Sequence, residues 1–93
     1  MEIQHENIGV KGRFYYKLNK VIMAEMTYSQ AGSNKIIIDH TEVNSSLKGQ
    51  GIGYKLVEAA VNYARFKHIK IIPQCPFAEA VFKKNINYND VLA

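Results

Sequence analysis

Apolar and polar side chains alternate along the first part of the chain, with the two-residue period of half-buried strands. The predicted strands span residues 14–18, 21–28 and 35–43, and the third is built on the apolar run Ile36-Ile37-Ile38. Residues that favour turns separate the three runs, at Asn19-Lys20 and again in residues 30–34. This first part therefore predicts an antiparallel meander.

The period changes to that of a helix between residues 51 and 67. Apolar side chains recur there at spacings of three and four, and charged or polar side chains occupy the opposite side. The residues of the apolar stripe are Leu56, Val57, Ala60 and Ala64. The pattern predicts a long amphipathic helix.

Residues 68–73 return to a strand pattern, so that residues 35–73 form a strand–helix–strand unit with parallel neighbours. A short second helix is predicted over residues 77–84, directly after Pro76, and residues 85–89 read as its exit and a short tail. The predicted fold class is α+β, bordering on α/β. It has a small mixed sheet, a meander followed by a parallel pair, and two helices.

Composition narrows the possible classes of protein. The 93 residues predict one domain over residues 1–93, and the 47% hydrophobic content is typical of globular chains. A polar, acidic N-terminus is unlike a signal peptide, and we expect no membrane segment. The single cysteine, Cys75, indicates a free thiol and a reducing cytoplasm. We expect a monomer. The net charge of +4 suits an anionic partner, although the lysines are dispersed.

A glycine-rich turn joins the third strand to the long helix. It reads Leu47-Lys48-Gly49-Gln50-Gly51-Ile52-Gly53, and the unpaired amides that open a helix can bind a phosphate there. The spacing matches neither a P-loop nor a dinucleotide fingerprint, since Tyr54-Lys55-Leu56 follows the last glycine. The alternative is that the glycines only form a tight turn and allow close packing.

Residues 40–88 resemble the core of the GNAT N-acetyltransferase superfamily. The Lys48–Gly53 turn is similar to that family's acetyl-CoA signature, Arg/Gln-x-x-Gly-x-Gly/Ala. His40-Thr41-Glu42-Val43 and Ile72-Pro73-Gln74-Cys75-Pro76-Phe77 resemble segments of very small members of that superfamily. The resemblance implies a minimal GNAT-like fold whose parallel strands splay apart to hold acetyl-CoA.

The resemblance also implies which residues contact the cofactor. The pantetheine arm would pair with the end of the first parallel strand, and the pyrophosphate would rest on the amides of the turn. The implied contacts are Thr41, Glu42, Val43, Lys48, Gly49, Gln50, Gly51, Ile52, Gly53, Pro76 and Phe77. Lys48 departs from the family's Arg or Gln at its position.

Three residues are candidates for catalysis under this resemblance. His40 and Glu42 could each take a proton from an amine, and imidazole is the better suited near neutral pH. Cys75 could protonate the departing thiolate or accept the acetyl group itself. It is a candidate because Phe82 occupies the position at which many family members carry a tyrosine that acts as the general acid. Each could also be purely structural. His5 and His68 lack metal-ligand spacing, so we expect no metal.

Three functions follow from these interpretations. The first is transfer of acetyl from acetyl-CoA to an unidentified amine. The second is a CoA-binding module that is non-catalytic or self-acetylating, favoured by Phe82 and by the absence of the usual acceptor-pocket helices. The third is a small basic nucleic-acid-binding domain, indicated only by residues 14–16 beside Arg13 and Lys17 and therefore not favoured.

Overall fold

The computed structural model describes residues 2–93, which contain five strands and two α-helices. The strands are β1 (Gln4–Ile8), β2 (Lys11–Leu18), β3 (Val21–Gln30), β4 (Lys35–Val43) and β5 (Lys70–Pro73). The helices are α1 (Ile52–Lys67) and α2 (Pro76–Lys84). Short 3-10 helices cover Ser45–Leu47 and Ile86–Val91.

The strands form one mixed sheet in the order β1-β2-β3-β4-β5. The first four strands pair antiparallel as a meander, and β4 pairs parallel with β5 through the α1 crossover. The predicted mixed sheet, parallel pair and second helix are confirmed. A crossover helix of 16 residues is sufficient for this connection, since parallel neighbours need a link of a dozen or more residues.

The buried strand residues share one face of the sheet, here called the helix face. Directly opposed residues lie on the same face, and the pairs Phe14–Met26 and Tyr28–Ile38 are all at most 2% exposed. These side chains form a single cluster with the apolar stripe of α1 and with the buried side of α2. Full burial of one large apolar side chain stabilises the fold by about 1.5–3 kcal/mol. The other face, here called the open face, carries half-buried and exposed side chains.

A β-bulge in β4 changes which residues reach each face. Tyr28 pairs with Ile38 but Thr27 pairs with His40, so Asp39 is the extra residue. Strict alternation would put His40 on the helix face with Ile38. The extra residue instead turns Thr41 toward that face, opposite the fully buried Met26.

One additional strand and two element boundaries differ from the expectation. β1 was not predicted, because it is an edge strand with one half-buried and four exposed residues and therefore shows no apolar alternation. The strand predicted from His68 begins at Lys70, because His68 has a left-handed φ of 58° and caps α1. The predicted tail is instead a 3-10 helix, after which Leu92 bridges to Ile71.

Candidate functional site

The paired strands β4 and β5 separate before β4 ends. Their last paired residues are Ile38 and Pro73, whereas β4 continues to Val43. At the point of separation the carbonyl of Ile38 accepts hydrogen bonds from the N–H groups of both Gln74 (2.9 Å) and Cys75 (3.2 Å). Beyond that point one edge of β4 has no strand beside it within residues 2–93.

The free edge exposes the backbone of two predicted contact residues. The Asn44 N–H donates to the Met23 carbonyl, which makes Val43 a non-hydrogen-bonded partner of Ala24. The N–H and C=O of Val43 therefore point away from β3, and by alternation those of Thr41 do too. Those of Glu42 point toward β3. An extended ligand can pair with Thr41 and Val43 as an added strand would.

A cleft of about 400 Å³ opens where the strands have separated. It is lined by Val43, Phe77 and residues 47–49 and 51–54. These include most of the predicted contacts with the cofactor. Thr41, Glu42, Gln50 and Pro76 are not among the lining residues; Pro76 is the first residue of α2.

The wide end of the cleft carries unpaired amides. The N–H groups of Lys48 and Gln50 donate to the carbonyls of Ser45 and Leu47, at 3.3 Å each. Within residues 2–93, those of Gly49 and of residues 51–54 donate to no protein acceptor. No side chain caps α1 and its first turn holds no acid. Its positive end is thus available to an anion.

Each of the three glycines has a local role. Gly49 and Gly51 have φ angles of 84° and 74°, which side-chain-bearing residues rarely adopt. Gly53 instead allows a close approach, because a Cβ there would lie 2.5 Å from Cζ of Phe77. Left-handed backbone at Gly49 and Gly51 and close packing at Gly53 therefore account for the three glycines, as the turn interpretation expects, and phosphate binding at the turn stays a prediction.

Cys75 lies at the narrow end of the gap between the strands. Its side chain is 6% exposed and caps α2, where Sγ accepts the Ala78 N–H at 3.4 Å. Its Sγ also lies 3.2 Å from Oγ1 of Thr41. The thiol therefore sits at the N-terminal end of α2, within hydrogen-bond distance of Thr41 and of the Ala78 N–H.

His40 and Glu42 lie on the open face, away from Thr41 and Cys75. They pair with Thr27 and Glu25, and Nε2 of His40 lies 3.7 Å from Oε2 of Glu42. Their side chains are 63% and 74% exposed. The structure thus joins Thr41 with Cys75 and His40 with Glu42, on opposite sides of β4.

Two residues that the sequence did not predict as contacts line the cleft, and the position of Phe82 lies outside it. Leu47 and Tyr54 line the cleft; Tyr54 directly follows the third glycine, which is the signal that could have identified it. Tyr54 also packs edge-on against Phe77, with ring centroids 5.9 Å apart. Phe82 is 3% exposed and packs in the core against Tyr88.

Strand β2, which carries the aromatic residues 14–16, offers no platform on which nucleic-acid bases could stack. Phe14 is in the core, and Arg13 forms ion pairs with Glu6 and Glu25 and covers the ring of Tyr15. Among residues 2–93 no three potential metal ligands come together. No helix in that same range is long and apolar enough to cross a bilayer.

A family model described as GCN5-related N-acetyl-transferase matches residues 13–91. The chain is similar to a GCN5-like protein from Staphylococcus aureus solved by NMR, with 39% identity and a TM-score of 0.72. That match covers 99% of this chain and 87% of the other. No curated protein matches the chain.

More distant structures share the fold. A ribosomal-protein-alanine N-acetyltransferase from Brucella melitensis biovar Abortus 2308 is 12% identical, with a TM-score of 0.68. The match covers 81% of this chain and 62% of that one. An aminoglycoside N-acetyltransferase solved with CoA is 11% identical, with a TM-score of 0.65 over 89% of this chain and 88% of that one.

Proposed function

Because the chain belongs to the GCN5-related N-acetyltransferase family, a family of acyltransferases, we propose that it transfers acetyl from acetyl-CoA to an amine. The amides of Gly49 and residues 51–54 hold the diphosphate, and the free edge of β4 holds the pantetheine arm. The observation that carries this proposal is the uncapped, acid-free start of α1 at the wide end of the cleft.

The donor set fits such a ligand. A diphosphate needs several converging N–H donors and no carboxylate nearby. The first turn of α1 meets both requirements. Lys48 adds a positive charge at the cleft wall. The free N–H and C=O groups of Thr41 and Val43 match the amides of an extended arm, and Phe77 and Leu47 give that arm apolar walls.

Acetyl-CoA supplies an activated thioester when bound, and the chain's own side chains supply proton transfer. The nucleophilic amine must be neutral, and the proposed base is His40, which lies on the side of β4 opposite Cys75 and takes the proton through a water molecule. Glu42, 3.7 Å away, stabilises the imidazolium that results, and is itself the second candidate base.

Cys75 is proposed as the proton donor to the departing thiolate. It lies at the narrow end of the gap, toward which an arm running from the α1 amides along Val43 to Thr41 would point. Its alternative role is to accept the acetyl group on Sγ as the thioester C–S bond breaks and CoA leaves with the thiol proton, and then to pass that group to the amine, which restores the thiol. A free thiol at this position is consistent with a reducing cytoplasm.

A second candidate function is a CoA-binding module with little turnover or with self-acetylation. The burial of Phe82 favours it, because the side chain at that position can neither donate a proton nor reach the cleft. The cleft itself is the same in both proposals. Turnover with a panel of amines separates them.

A thermal unfolding titration tests the shared part of the proposal. A ligand at 100 times its dissociation constant stabilises the native state by about 2.7 kcal/mol. We expect acetyl-CoA to raise the melting temperature in this way and a single-stranded oligonucleotide of matched charge to leave it unchanged. A shift with the oligonucleotide alone would reject the proposal in favour of nucleic-acid binding.

A further inference from the structure

The gap between β4 and the segment after β5 widens outward from its closed end. At that end the two segments are joined by hydrogen bonds from Gln74 and Cys75 to the carbonyl of Ile38. One step further out, the side chains of Thr41 and Cys75 meet, with Oγ1 3.2 Å from Sγ. One step beyond that, Val43 and Phe77 stand apart and line the open cleft.

Neighbouring groups hold the Thr41–Cys75 pair in place. Thr41 is half-buried and lies opposite Met26, which is fully buried, and Cys75 is 6% exposed. The sulfur is also held by the Ala78 N–H, so it cannot rotate away without losing that bond. Close-packed interiors yield little to an added methylene group, and the pair should therefore act as a rigid stop.

We propose that Thr41 and Cys75 limit the length of the acyl group that the protein accepts, so that acetyl is bound and longer chains are excluded. This inference rests on the proposed function, which directs the thioester toward the pair. An acetyl group ends one methyl beyond its carbonyl, whereas a butyryl group extends two carbons further and would have to displace the sulfur or the hydroxyl.

Binding constants for CoA, acetyl-CoA and butyryl-CoA test this without any acceptor amine. Single-methylene discrimination in an apolar pocket ranges from about 10-fold to 200-fold. We expect the wild-type protein to bind butyryl-CoA at least about 10-fold more weakly than acetyl-CoA. Cys75→Ala and Thr41→Ser each remove volume. In these variants the dissociation constant for butyryl-CoA should be about 3 times that for acetyl-CoA or less, because the discrimination is lost.

Two controls define what the ratio reports. Thr41→Val preserves the shape of the side chain while removing its hydroxyl, and should keep the discrimination. Glu58→Gln alters an exposed position of α1 and should also keep it. Folding of each variant is checked by its unfolding transition, and either volume-reducing variant suffices if the other is unfolded.

The outcomes separate this inference from the function on which it rests. If neither CoA nor acetyl-CoA binds, the proposed function fails. If both bind and wild-type protein accepts butyryl-CoA equally well, only the length limit is overturned. It is also overturned if the volume-reducing variants keep the wild-type ratio, or if Thr41→Val loses it.

Discussion

The ring of Phe77 lies against Gly53, so closely that a Cβ on residue 53 would come within 2.5 Å of Cζ of that ring. The contact joins the first turns of α1 and α2 at the cleft. We predict that Gly53→Ala displaces the ring and weakens acetyl-CoA binding. Overpacking of this kind lowers the unfolding free energy by about 1–3 kcal/mol. We expect an effect at the low end of this range, because the tip of the ring can move.

The double variant Gly53→Ala/Phe77→Ala identifies the cause. Without the ring the three nearest contacts of the added methyl are gone, so the effect of Gly53→Ala on unfolding free energy should largely vanish in the Phe77→Ala background. Denaturant titrations of the four proteins measure this coupling. If the two substitutions have additive effects on the unfolding free energy, the ring of Phe77 is not the reason that residue 53 is a glycine.

Gly51 tests the left-handed turn. We predict that Gly51→Val lowers the unfolding free energy by about 1–2 kcal/mol, because a β-branched residue is strained at a φ of 74°. We also predict that it removes the thermal shift with acetyl-CoA, since the distorted turn no longer presents its amides. Gly51→Asn should retain much of both, because Asn tolerates this conformation.

Gly32 provides the matched control for that strain. It has a φ of 78° in the turn between β3 and β4, and a Cβ added to it, as to Gly51, would meet no atom within 4 Å. Gly32→Val should destabilise the protein to a similar extent but keep the acetyl-CoA shift. Loss of the shift in both variants would mean that stability, and not the cleft, governs binding.

The sulfur of Cys75 gives a prediction that separates its two roles. After incubation with acetyl-CoA, intact-mass measurement should show one added acetyl group on the wild-type protein, removed by hydroxylamine at neutral pH, if Sγ accepts it, and no added acetyl group on Cys75→Ala. If Cys75 only donates a proton, no adduct forms and turnover falls in the variant. An adduct that survives hydroxylamine would place the acetyl group on another residue.

His5 links stability to pH. Partial burial, followed by the charge of Lys67, lowers its pKa, and its ring stacks on Phe14 at 4.4 Å and meets Tyr63 edge-on. Nε2 bonds the hydroxyl of Tyr28. A lowered pKa in the folded state favours the neutral form, so this contribution is complete above the unfolded value near 6.5 and is lost as pH falls through the folded value.

His5→Phe should remove that pH-dependent component. Denaturant titrations between about pH 7 and pH 5 should show a steeper loss of unfolding free energy in the wild-type protein than in the variant. Parallel losses in both proteins would mean that other groups control this range.

The sequence was sufficient for the elements with a strong period. The apolar stripe around Leu56 and Ala60 predicts α1 correctly, and the glycines locate the turn that precedes it. Alternation could not reveal the extra residue at Asp39, because a bulge leaves no apolar signature. Alternation puts His40 and Glu42 on one face of β4 and Thr41 on the other, but the extra residue decides that Thr41, and not His40, shares the helix face with Ile38, and spacing alone does not predict that choice.

Other site features depend on contacts between distant segments. Thr41 and Cys75 are 34 residues apart and meet only because β4 and β5 separate after Ile38 and Pro73. The approach of Phe77 to Gly53 likewise depends on the packing of α2 against α1. No local pattern encodes either contact.

Backbone amide NMR during titration with CoA tests the central claim most directly. The amide resonances of Gly49, Gly51, Ile52 and Gly53 should shift progressively and saturate together, with those of Thr41 and Val43, whereas Gly32 should not move. If CoA binds while the amides of the turn keep their resonances, or if they shift no more than Gly32, the diphosphate is held elsewhere and the account is wrong.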